Sequence, residues 1–315
     1  MSRISIIGNV GLDIIASSVD RLPPPGTEVV IDSISVRPGG GAGNTAMALA
    51  ALGVRHELYG SLGDDAVAAL VTDLLERAGA DCSHILRTPK SPTSATIAVE
   101  SQFRDRGFLT VEGHLRHFDR NILPDDALTA DFVLLTGYFT TPALHGQPTE
   151  DMLRAVKAND GCTLFDPGSD PDGWKPGTVD RLRSLLPHVD VFLPNAQELS
   201  VIGGHSDPWA AARALHASSG GWIIAKLGPA GCIGVGPGEE FAVPARALPS
   251  TETTGAGDCF DAGLLYGLAN HMSWVQGARL ATIIATETTV RPSHDRHVRR
   301  SDLANLFRQH TDEFG

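Results

Sequence analysis

A short run of small residues at 253–258 (TTGAGD) leads directly into an apolar helical pattern over residues 259–268. Glycines let a ligand approach the backbone closely because they have no Cβ atom, and the free N–H groups at a helix N-terminus bind anions. A carboxylate at the start of such a helix, here Asp258, is placed to act as a general base beside a bound anion. A capped turn with Asp258 as the helix N-cap is the alternative that this stretch alone leaves open.

A second glycine-rich run, residues 38–44 (PGGGAGN), precedes a helical pattern of small residues over 45–52. Three consecutive glycines cost conformational entropy unless another group must come very close to the backbone. The run therefore either lines a ligand or acts as a hinge. A hinge beside a ligand would make closure depend on binding.

Polar side chains follow several predicted strands at the point where each strand ends. Asp13 comes after the apolar strand over residues 4–7, although on its own it also fits a turn residue. The others are Asp166, Asn195 with Glu198, and Lys226 followed by Gly228 and Gly231. Taken alone, Asn195 and Glu198 also fit a capping box. Because ligands bind at the carboxyl ends of the strands in open α/β sheets, we expect these side chains to converge at one edge.

Helical and strand patterns alternate through most of the chain, which is typical of a parallel sheet covered by helices on both faces. The predicted helices span residues 65–78, 150–159, 208–218 and 274–289. The predicted strands span residues 56–60, 132–135, 162–165, 189–193, 222–226 and 232–235.

Three extended segments, residues 28–36, 94–100 and 107–111, do not fit this alternation. A turn at residues 23–26 (PPPG) precedes the first, and residues 104–107 (RDRG) connect the other two as a hairpin. We predict that they form a small β-sheet, built from two excursions out of the main domain. Such a sheet can cover a site and exclude water from it.

The composition is ordinary for a globular protein, with 42% hydrophobic and 20% charged residues in a chain of 315. A formal net charge of −12 argues against nucleic acid or an anionic membrane surface as a partner. The four cysteines form no CxxC pair, and no apolar run is long enough to cross a bilayer. The first residues lead directly into a strand pattern, without the features of a signal peptide. We therefore expect a cytoplasmic protein.

Taken together, these motifs resemble those of the PfkB, or ribokinase-like, carbohydrate kinases. Residues 38–53 (PGGGAGNTAMALAALG) look like the family's N-terminal signature, and residues 252–263 (ETTGAGDCFDAG) look like its C-terminal signature. Between them stand the family's N-x-x-E and its nucleotide-loop G-x-x-G, as Asn195 with Glu198 and Gly228 with Gly231. The motifs occur in the family's order over nearly the whole chain.

The resemblance implies an α/β fold of the ribokinase-like kind, with three α/β/α layers, a mostly parallel central sheet and a small β-sheet lid. It places the nucleotide- and substrate-binding core in residues 1–13, 37–90 and 119–315, and the lid in residues 14–36 and 91–118. A homodimer that pairs through the lids is a further expectation.

The resemblance also implies the activity, which is ATP-dependent transfer of the γ-phosphoryl group to a hydroxymethyl group of a carbohydrate. Asp258 would be the general base, and Gly255, Ala256 and Gly257 would form the anion hole. The other positions that match the family's sites are Asp13, Gly40, Gly41 and Asn44 for the sugar, Asn195, Lys226, Gly228, Gly231 and Thr282 for ATP, and Glu198, through water, for Mg²⁺.

The chain departs from the family's usual pattern six residues before Asp258. The resemblance associates an aspartate there with a monovalent cation, but here the residue is Glu252. The sequence after Arg291 and Pro292 also lacks the family's usual small residues. Activation by K⁺, with Glu252 as a ligand, is therefore left open.

The identity of the substrate is left open between a sugar and a nucleoside. An aromatic pair on the lid would favour a nucleoside, and Phe103 and Phe108 are the candidates, although Phe108 also fits ordinary strand packing. Arg104 and Arg106 either reach an anionic group of the substrate or form a solvated hairpin tip.

Two other classes of protein fit the sequence less well. A non-catalytic sugar or nucleotide sensor on the same fold would be expected to have lost the base, and Asp258 is present. A nicotinamide-dependent oxidoreductase would need a G-x-G-x-x-G run, and residues 8–13 (GNVGLD) lack that spacing.

Overall fold

Strands and helices alternate along the chain in the computed structural model, which describes residues 2–17, 23–89, 91–99, 107–249, 252–292 and 295–314. The strands are β1 (Ile4–Gly8), β2 (Gly11–Ala16), β3 (Ile34–Gly39), β4 (Glu57–Gly63), β5 (Ile85–Thr88), β6 (Ala95–Val99), β7 (Gly107–Val111), β8 (Phe132–Thr136), β9 (Cys162–Asp166), β10 (Val191–Phe192), β11 (Trp222–Lys226), β12 (Cys232–Gly236) and β13 (Glu239–Val243). The helices are α1 (Gly41–Ala51), α2 (Ala66–Arg77), α3 (Gln147–Ala158), α4 (Pro176–Leu185), α5 (Ala196–Gly203), α6 (Pro208–Ser219), α7 (Ala256–Ala269), α8 (Trp274–Val290) and α9 (Leu303–Phe314).

The central sheet has nine strands in the order β13-β12-β11-β10-β9-β8-β1-β4-β5. Neighbouring strands from β11 through β5 pair in parallel, whereas β12 and β13 pair antiparallel at one edge. The prediction of a mostly parallel sheet is confirmed. The carboxyl ends of the parallel strands therefore meet at one edge, where ligands bind in such sheets.

Helices cover both faces of this sheet, because side chains along each strand alternate between two cores. Ile6 and Leu134 lie in the core that also contains side chains of α1, α7 and α8. Ile7 and Leu135 lie in the other core, with side chains of α3, α4 and α6. The three-layer α/β/α architecture is confirmed. In the described part of the chain, no helix is both long enough and apolar enough to cross a membrane.

A second, four-stranded sheet has the order β3-β2-β6-β7, and we call it the lid. Its strands come from two separate stretches of the chain, so the prediction of a small sheet built from two excursions is confirmed. The exact ranges given above for core and lid stay a prediction. The hairpin tip with Phe103, Arg104 and Arg106 lies outside the described residues.

The predicted strand over residues 28–36 is wrong in its first part, because β3 begins at Ile34. Ile34 pairs with Ala16, the last residue of β2, so residues 28–33 have no β2 residue to pair with. They lie largely exposed, and Val30 keeps 89% of its surface accessible. A sequence pattern of period two is not sufficient for a strand when the partner strand has ended.

Two element boundaries near the glycine run also differ from the prediction. Asp13 does not lie in a turn but within β2, directly opposite Arg37 of β3. Helix α1 begins at Gly41 rather than at Thr45, after an N-cap at Gly40 with φ of 83°. The glycine run therefore opens the helix, and its positive φ is a conformation that a residue with a Cβ adopts only at a cost.

The two faces of the lid differ in polarity. On one face a row across the four strands contains Arg37, Asp13, Thr96 and Thr110. On the opposite face the neighbouring row contains Val36, Ile14, Ile97 and Leu109. The polar row faces the core, because the guanidinium of Arg37 reaches Glu252. The apolar row is left partly accessible, and Leu109 keeps 57% of its surface exposed.

Candidate active site

The small-residue run at 253–258 forms the N-terminus of α7. Gly255 is the N-cap, in the left-handed region with φ of 78°, and Asp258 lies in the first turn of the helix. The alternative of Asp258 as the N-cap is therefore wrong. Gly255, Ala256 and Gly257 all line a cavity of about 720 Å³. The positive end of the α7 dipole therefore faces this cavity and would stabilise a negative charge bound there.

Asn44 of α1 connects the two glycine-rich runs. Its side-chain amide donates a hydrogen bond to Oδ2 of Asp258 at 2.8 Å, and the hydroxyl of Thr45 donates to the backbone carbonyl of Asp258 at 3.3 Å. A Cβ atom at Gly41 would lie 2.4 Å from Oγ1 of Thr136 and 3.4 Å from Oδ1 of Asp258. The helix therefore approaches the carboxylate this closely because the residue there is glycine.

The environment of Asp258 raises its pKa to about 6. Burial is the main cause, the carboxylate of Asp166 adds to it, and the hydrogen bond from Asn44 acts in the opposite direction. A carboxylate with a pKa near the operating pH is better suited to accept a proton than one with the usual value.

Asp13 lies beside the first glycine run, where a Cβ at Gly39 would be 2.3 Å from its Oδ1. At Gly40 a Cβ would be 2.4 Å from the backbone carbonyl oxygen of Asn9. The side chain of Asn9 in turn accepts a hydrogen bond from the N–H of Gly41 at 2.9 Å. Burial raises the pKa of Asp13 to about 6, against the lowering effect of the Arg37 and Arg296 guanidinium groups.

A lysine and two aspartates form a buried cluster at the carboxyl edge of the sheet. Nζ of Lys226, at the end of β11, lies 2.8 Å from Oδ2 of Asp166, at the end of β9. The same Nζ lies 3.2 Å from Oδ1 of Asp261 on α7. Burial alone would lower the pKa of Lys226, but the two carboxylates hold it above its usual value. Lys226 is therefore a fixed positive charge close to Gly257, at the N-terminus of α7.

Asn195 and Glu198 form a capping box at the start of α5. The Asn195 side chain accepts a hydrogen bond from the Glu198 N–H at 2.9 Å, and the Glu198 carboxylate accepts one from the Asn195 N–H at 2.8 Å. Both residues also line the cavity, so the capping role does not remove them from it. Burial and, to a smaller extent, the Asp166 carboxylate raise the pKa of Glu198 to about 7.

The same cavity is lined by the other residues that the sequence assigns to ATP, which are Lys226, Gly228, Gly231 and Thr282. The hydroxyl of Thr282 donates a hydrogen bond to the carbonyl of Ala278 at 2.9 Å, one turn earlier in α8. It is therefore satisfied by its own helix. Asp13, Gly40, Gly41 and Asn44, which the sequence assigns to the sugar, are not among the residues that line this cavity. Asn44 is connected to it through its hydrogen bond to Asp258.

The acidic residues of the site fit Mg²⁺. Carboxylate oxygens of Asp166, Asp258 and Asp261 lie within 4.8 Å of one another, and Glu198 lines the same cavity. Oxygen ligands of this kind, completed by water and phosphate oxygens, are what Mg²⁺ prefers. Glu252 does not fit K⁺, because two guanidinium groups, those of Arg37 and Arg296, already face its carboxylate.

The sequence patterns did not single out three charged residues near the site. Asp261 had a detectable signal, since it follows Asp258 by three residues and therefore shares its face of the helix. Arg37 and Arg296 had none, because their partner Glu252 is distant in sequence from Arg37 and the approach of Arg296 depends on the fold.

Several known proteins are similar to this chain in sequence or in structure. A fructokinase of Klebsiella pneumoniae is 28% identical over 241 residues, covering 74% of this chain and 78% of the relative. An aminoimidazole riboside kinase of Salmonella typhimurium is 26% identical over 290 residues, covering 87% and 83%. The structure of an Arabidopsis thaliana ribokinase complexed with ribose and ATP superposes with a TM-score of 0.80 at 22% identity, covering 97% of this chain and 98% of the ribokinase chain. Residues 1–295 match the family described as pfkB family carbohydrate kinase, and the chain therefore belongs to this family.

Proposed function

We propose that this protein is an ATP-dependent kinase that transfers the γ-phosphoryl group to a hydroxymethyl group of a carbohydrate. The observation that best supports this activity is the position of Asp258. Its carboxylate lies in the first turn of α7, beside the helix N-terminus and at the wall of the 720 Å³ cavity. A carboxylate and a helix N-terminus are thus adjacent, which suits the base and the anion site that transfer of a phosphoryl group to an alcohol requires.

In the proposed reaction Asp258 accepts the proton of the attacking hydroxyl group. The N–H groups of Gly255 and Gly257 stabilise the charge of the transferring phosphoryl group, and the α7 dipole adds to their effect. The N–H of Ala256, which the sequence also assigns to the anion hole, already donates a hydrogen bond to the carbonyl of Thr253 at 3.1 Å. Asp13, Gly40, Gly41 and Asn44 hold the sugar hydroxyls so that one oxygen is in line with the phosphorus atom. Phosphoryl transfer depends mainly on such positioning and on charge stabilisation.

The nucleotide would occupy the cavity, with Asn195, Lys226, Gly228, Gly231 and Thr282 along its wall. The Arabidopsis thaliana ribokinase, of which the match covers 98%, was solved with ribose and ATP, which supports ATP as the nucleotide. Glu198, through water, would hold Mg²⁺, which when bound neutralises charge on the phosphates.

The experiment that tests this function is a screen for ATP consumption with pentoses, hexoses, sugar acids, phosphosugars and nucleosides as acceptors. It is run once in NaCl and once in KCl. We expect turnover with at least one carbohydrate and the same rate in both salts, because Arg37 and Arg296 already neutralise Glu252. If none of these acceptors led to ATP consumption, the proposal would be contradicted. Strong activation by K⁺ would contradict the conclusion that Glu252 does not bind this ion.

A nucleoside is the second candidate for the acceptor, and Phe108 is the observation that favours it. This residue pairs with Ala98 on the lid face that also contains Asp13, and it keeps 58% of its surface exposed. The interpretation of Phe108 as ordinary packing is therefore wrong. An exposed ring on this face is available to stack on a base. Faster turnover of inosine than of any free sugar in the screen would select this candidate.

The pH dependence of the reaction is expected to follow Asp258. Its pKa is about 6, and only the ionised form accepts a proton, so kcat/KM should fall as the pH drops through about 6. Asn44→Ala removes a hydrogen bond that lowers this pKa, and the acid limb should therefore move to higher pH. A pH–rate profile of both proteins measures the shift. An acid limb that stays in place, or moves to lower pH, would contradict the assignment.

We also propose a homodimer that forms through the apolar face of the lid. Val36, Ile97 and Leu109 lie in one row across the sheet and are between 38% and 57% exposed, which leaves a continuous apolar surface. A second copy of the same face would bury it. Sedimentation should show a dimer for the wild type and a monomer for Leu109→Lys. The matched control is Leu70→Lys, at an exposed leucine on α2, which should remain dimeric.

A further inference from the structure

Two arginines share one carboxylate at the boundary between the lid and the core. Nη2 of Arg37, on β3, lies 2.7 Å from Oε1 of Glu252, and Nη1 of Arg296 lies 3.6 Å from the same oxygen. The three side chains are between 6% and 11% exposed. Buried charges of this kind are stable only when they are paired in a fixed geometry. The cluster therefore holds its three parts of the chain in a defined arrangement.

Arg296 also contacts the loop that forms the proposed anion hole. Its Nη2 donates a hydrogen bond to the backbone carbonyl of Thr254, the residue directly before Gly255. Because a peptide unit is planar, the direction of the Thr254 carbonyl also determines the direction of the Gly255 N–H. The guanidinium of Arg296 therefore controls where one donor of the anion hole points.

Arg37 connects the same cluster to the lid. It lies directly opposite Asp13 across the β2–β3 pair, and its charge lowers the pKa of Asp13 against the effect of burial. With Asp13 ionised, the two arginines and the carboxylates of Asp13 and Glu252 sum to zero charge. Asp13, the proposed sugar-binding residue, and Arg296, which contacts the loop of the proposed anion hole, thus belong to one group of charges that sums to zero.

We propose that Arg37, Glu252 and Arg296 form an ionic relay that couples the position of the lid to the geometry of the anion hole. In this relay Arg296 is a positioning residue, acting through the Thr254–Gly255 peptide unit. The proposal rests on the function proposed above. Its consequence is that the lid, when it lies over a sugar at Asp13, keeps the Gly255 N–H directed at the transferring phosphoryl group.

Amide hydrogen exchange on the protein without ligands tests the coupling directly. Coupling between two sites is reciprocal, so each substitution should act on the other segment as well as on its own. Arg37→Met should speed exchange in a peptide covering residues 252–260, and Arg296→Met should speed exchange in a peptide covering residues 34–40. Exchange in α3 serves as the internal reference. If each substitution alters only its own segment, the relay is disproved.

The matched control for Arg296 is Arg299→Met, three residues further along the chain, which removes an exposed ion pair between Arg299 and Asp295. This control should leave exchange in both peptides unchanged. Arg296→Lys retains the charge but not the planar pair of donors, so it should keep the fold and still speed exchange at residues 252–260. Arg296→Lys with wild-type exchange in that peptide would count against the proposal even if Arg296→Met does not fold.

Kinetics distinguish a positioning role from a merely structural one. With the acceptor that gives the highest turnover in the screen, Arg296→Met should lower kcat by about 10²-fold, the effect expected for a small misplacement of the reacting groups. The KM for ATP should change little, and added guanidinium ion should partly restore kcat of Arg296→Ala but not of Asp258→Asn. An unchanged kcat, or a loss without rescue, would overturn the positioning role. Neither result would affect the assignment of Asp258, which is tested by its own variant.

Discussion

Asp258→Asn is expected to lower kcat by about 10²- to 10⁴-fold, the usual contribution of a general base. The amide cannot take the proton of the attacking hydroxyl group, although it has nearly the same shape as the carboxylate. The hydrogen bond from Asn44 and the hydrogen bond to the backbone of Asp258 do not depend on the negative charge. Binding of ATP should therefore change little, and calorimetry with the variant can measure it.

The matched control for this substitution is Asp172→Asn, at an aspartate whose side chain is 70% exposed and whose partner is the exposed Lys175. It should retain wild-type kcat and wild-type affinity for ATP. Wild-type turnover in Asp258→Asn would rule out Asp258 as the base. Loss of ATP binding together with turnover would assign the residue to nucleotide binding instead.

Lys226→Met is expected to have the second large effect, on stability as well as on activity. The ammonium group is the cation between Asp166 and Asp261, both of which are buried. Removing one partner of a buried ion pair leaves an uncompensated charge and costs about 3–5 kcal/mol. The free energy of unfolding, measured by urea denaturation, should fall by an amount in this range.

The same substitution should also raise the pKa of Asp258, because the charge of Lys226 lowers it in the wild type. Any remaining activity should therefore have its acid limb at higher pH than the wild type. Lys175→Met is the control, since this lysine forms an exposed ion pair with Asp172. A stability close to that of the wild type in Lys226→Met would contradict the account of the buried cluster.

The parts of the fold that could be predicted from the sequence are those determined by local pattern. The strand ends at Asp166 and Lys226 were predicted to meet, and their side chains lie 2.8 Å apart. This prediction was possible because the carboxyl ends of parallel strands lie at one edge of a sheet. The N-terminus of α7 was likewise visible as glycines followed by an apolar helical pattern.

The parts that could not be predicted depend on partners that are distant in sequence. Residues 28–33 have the pattern of a strand, but β2 ends before it can pair with them. The pairing of Arg37 with Glu252 joins residues that are far apart along the chain, and no local pattern indicates it. The short edge strands β5 and β13 were also missed, since such segments form strands only because a neighbouring strand of the sheet pairs with them.

The most direct test of the central claim is transfer of radioactive phosphate from [γ-³²P]ATP, in the presence of Mg²⁺, to the acceptors of the screen. The wild type should form a labelled phosphomonoester of a carbohydrate, and Asp258→Asn should form it at least about 10²-fold more slowly. Label that appears only as inorganic phosphate, or the same rate of product formation in both proteins, would contradict a carbohydrate kinase with Asp258 as its general base.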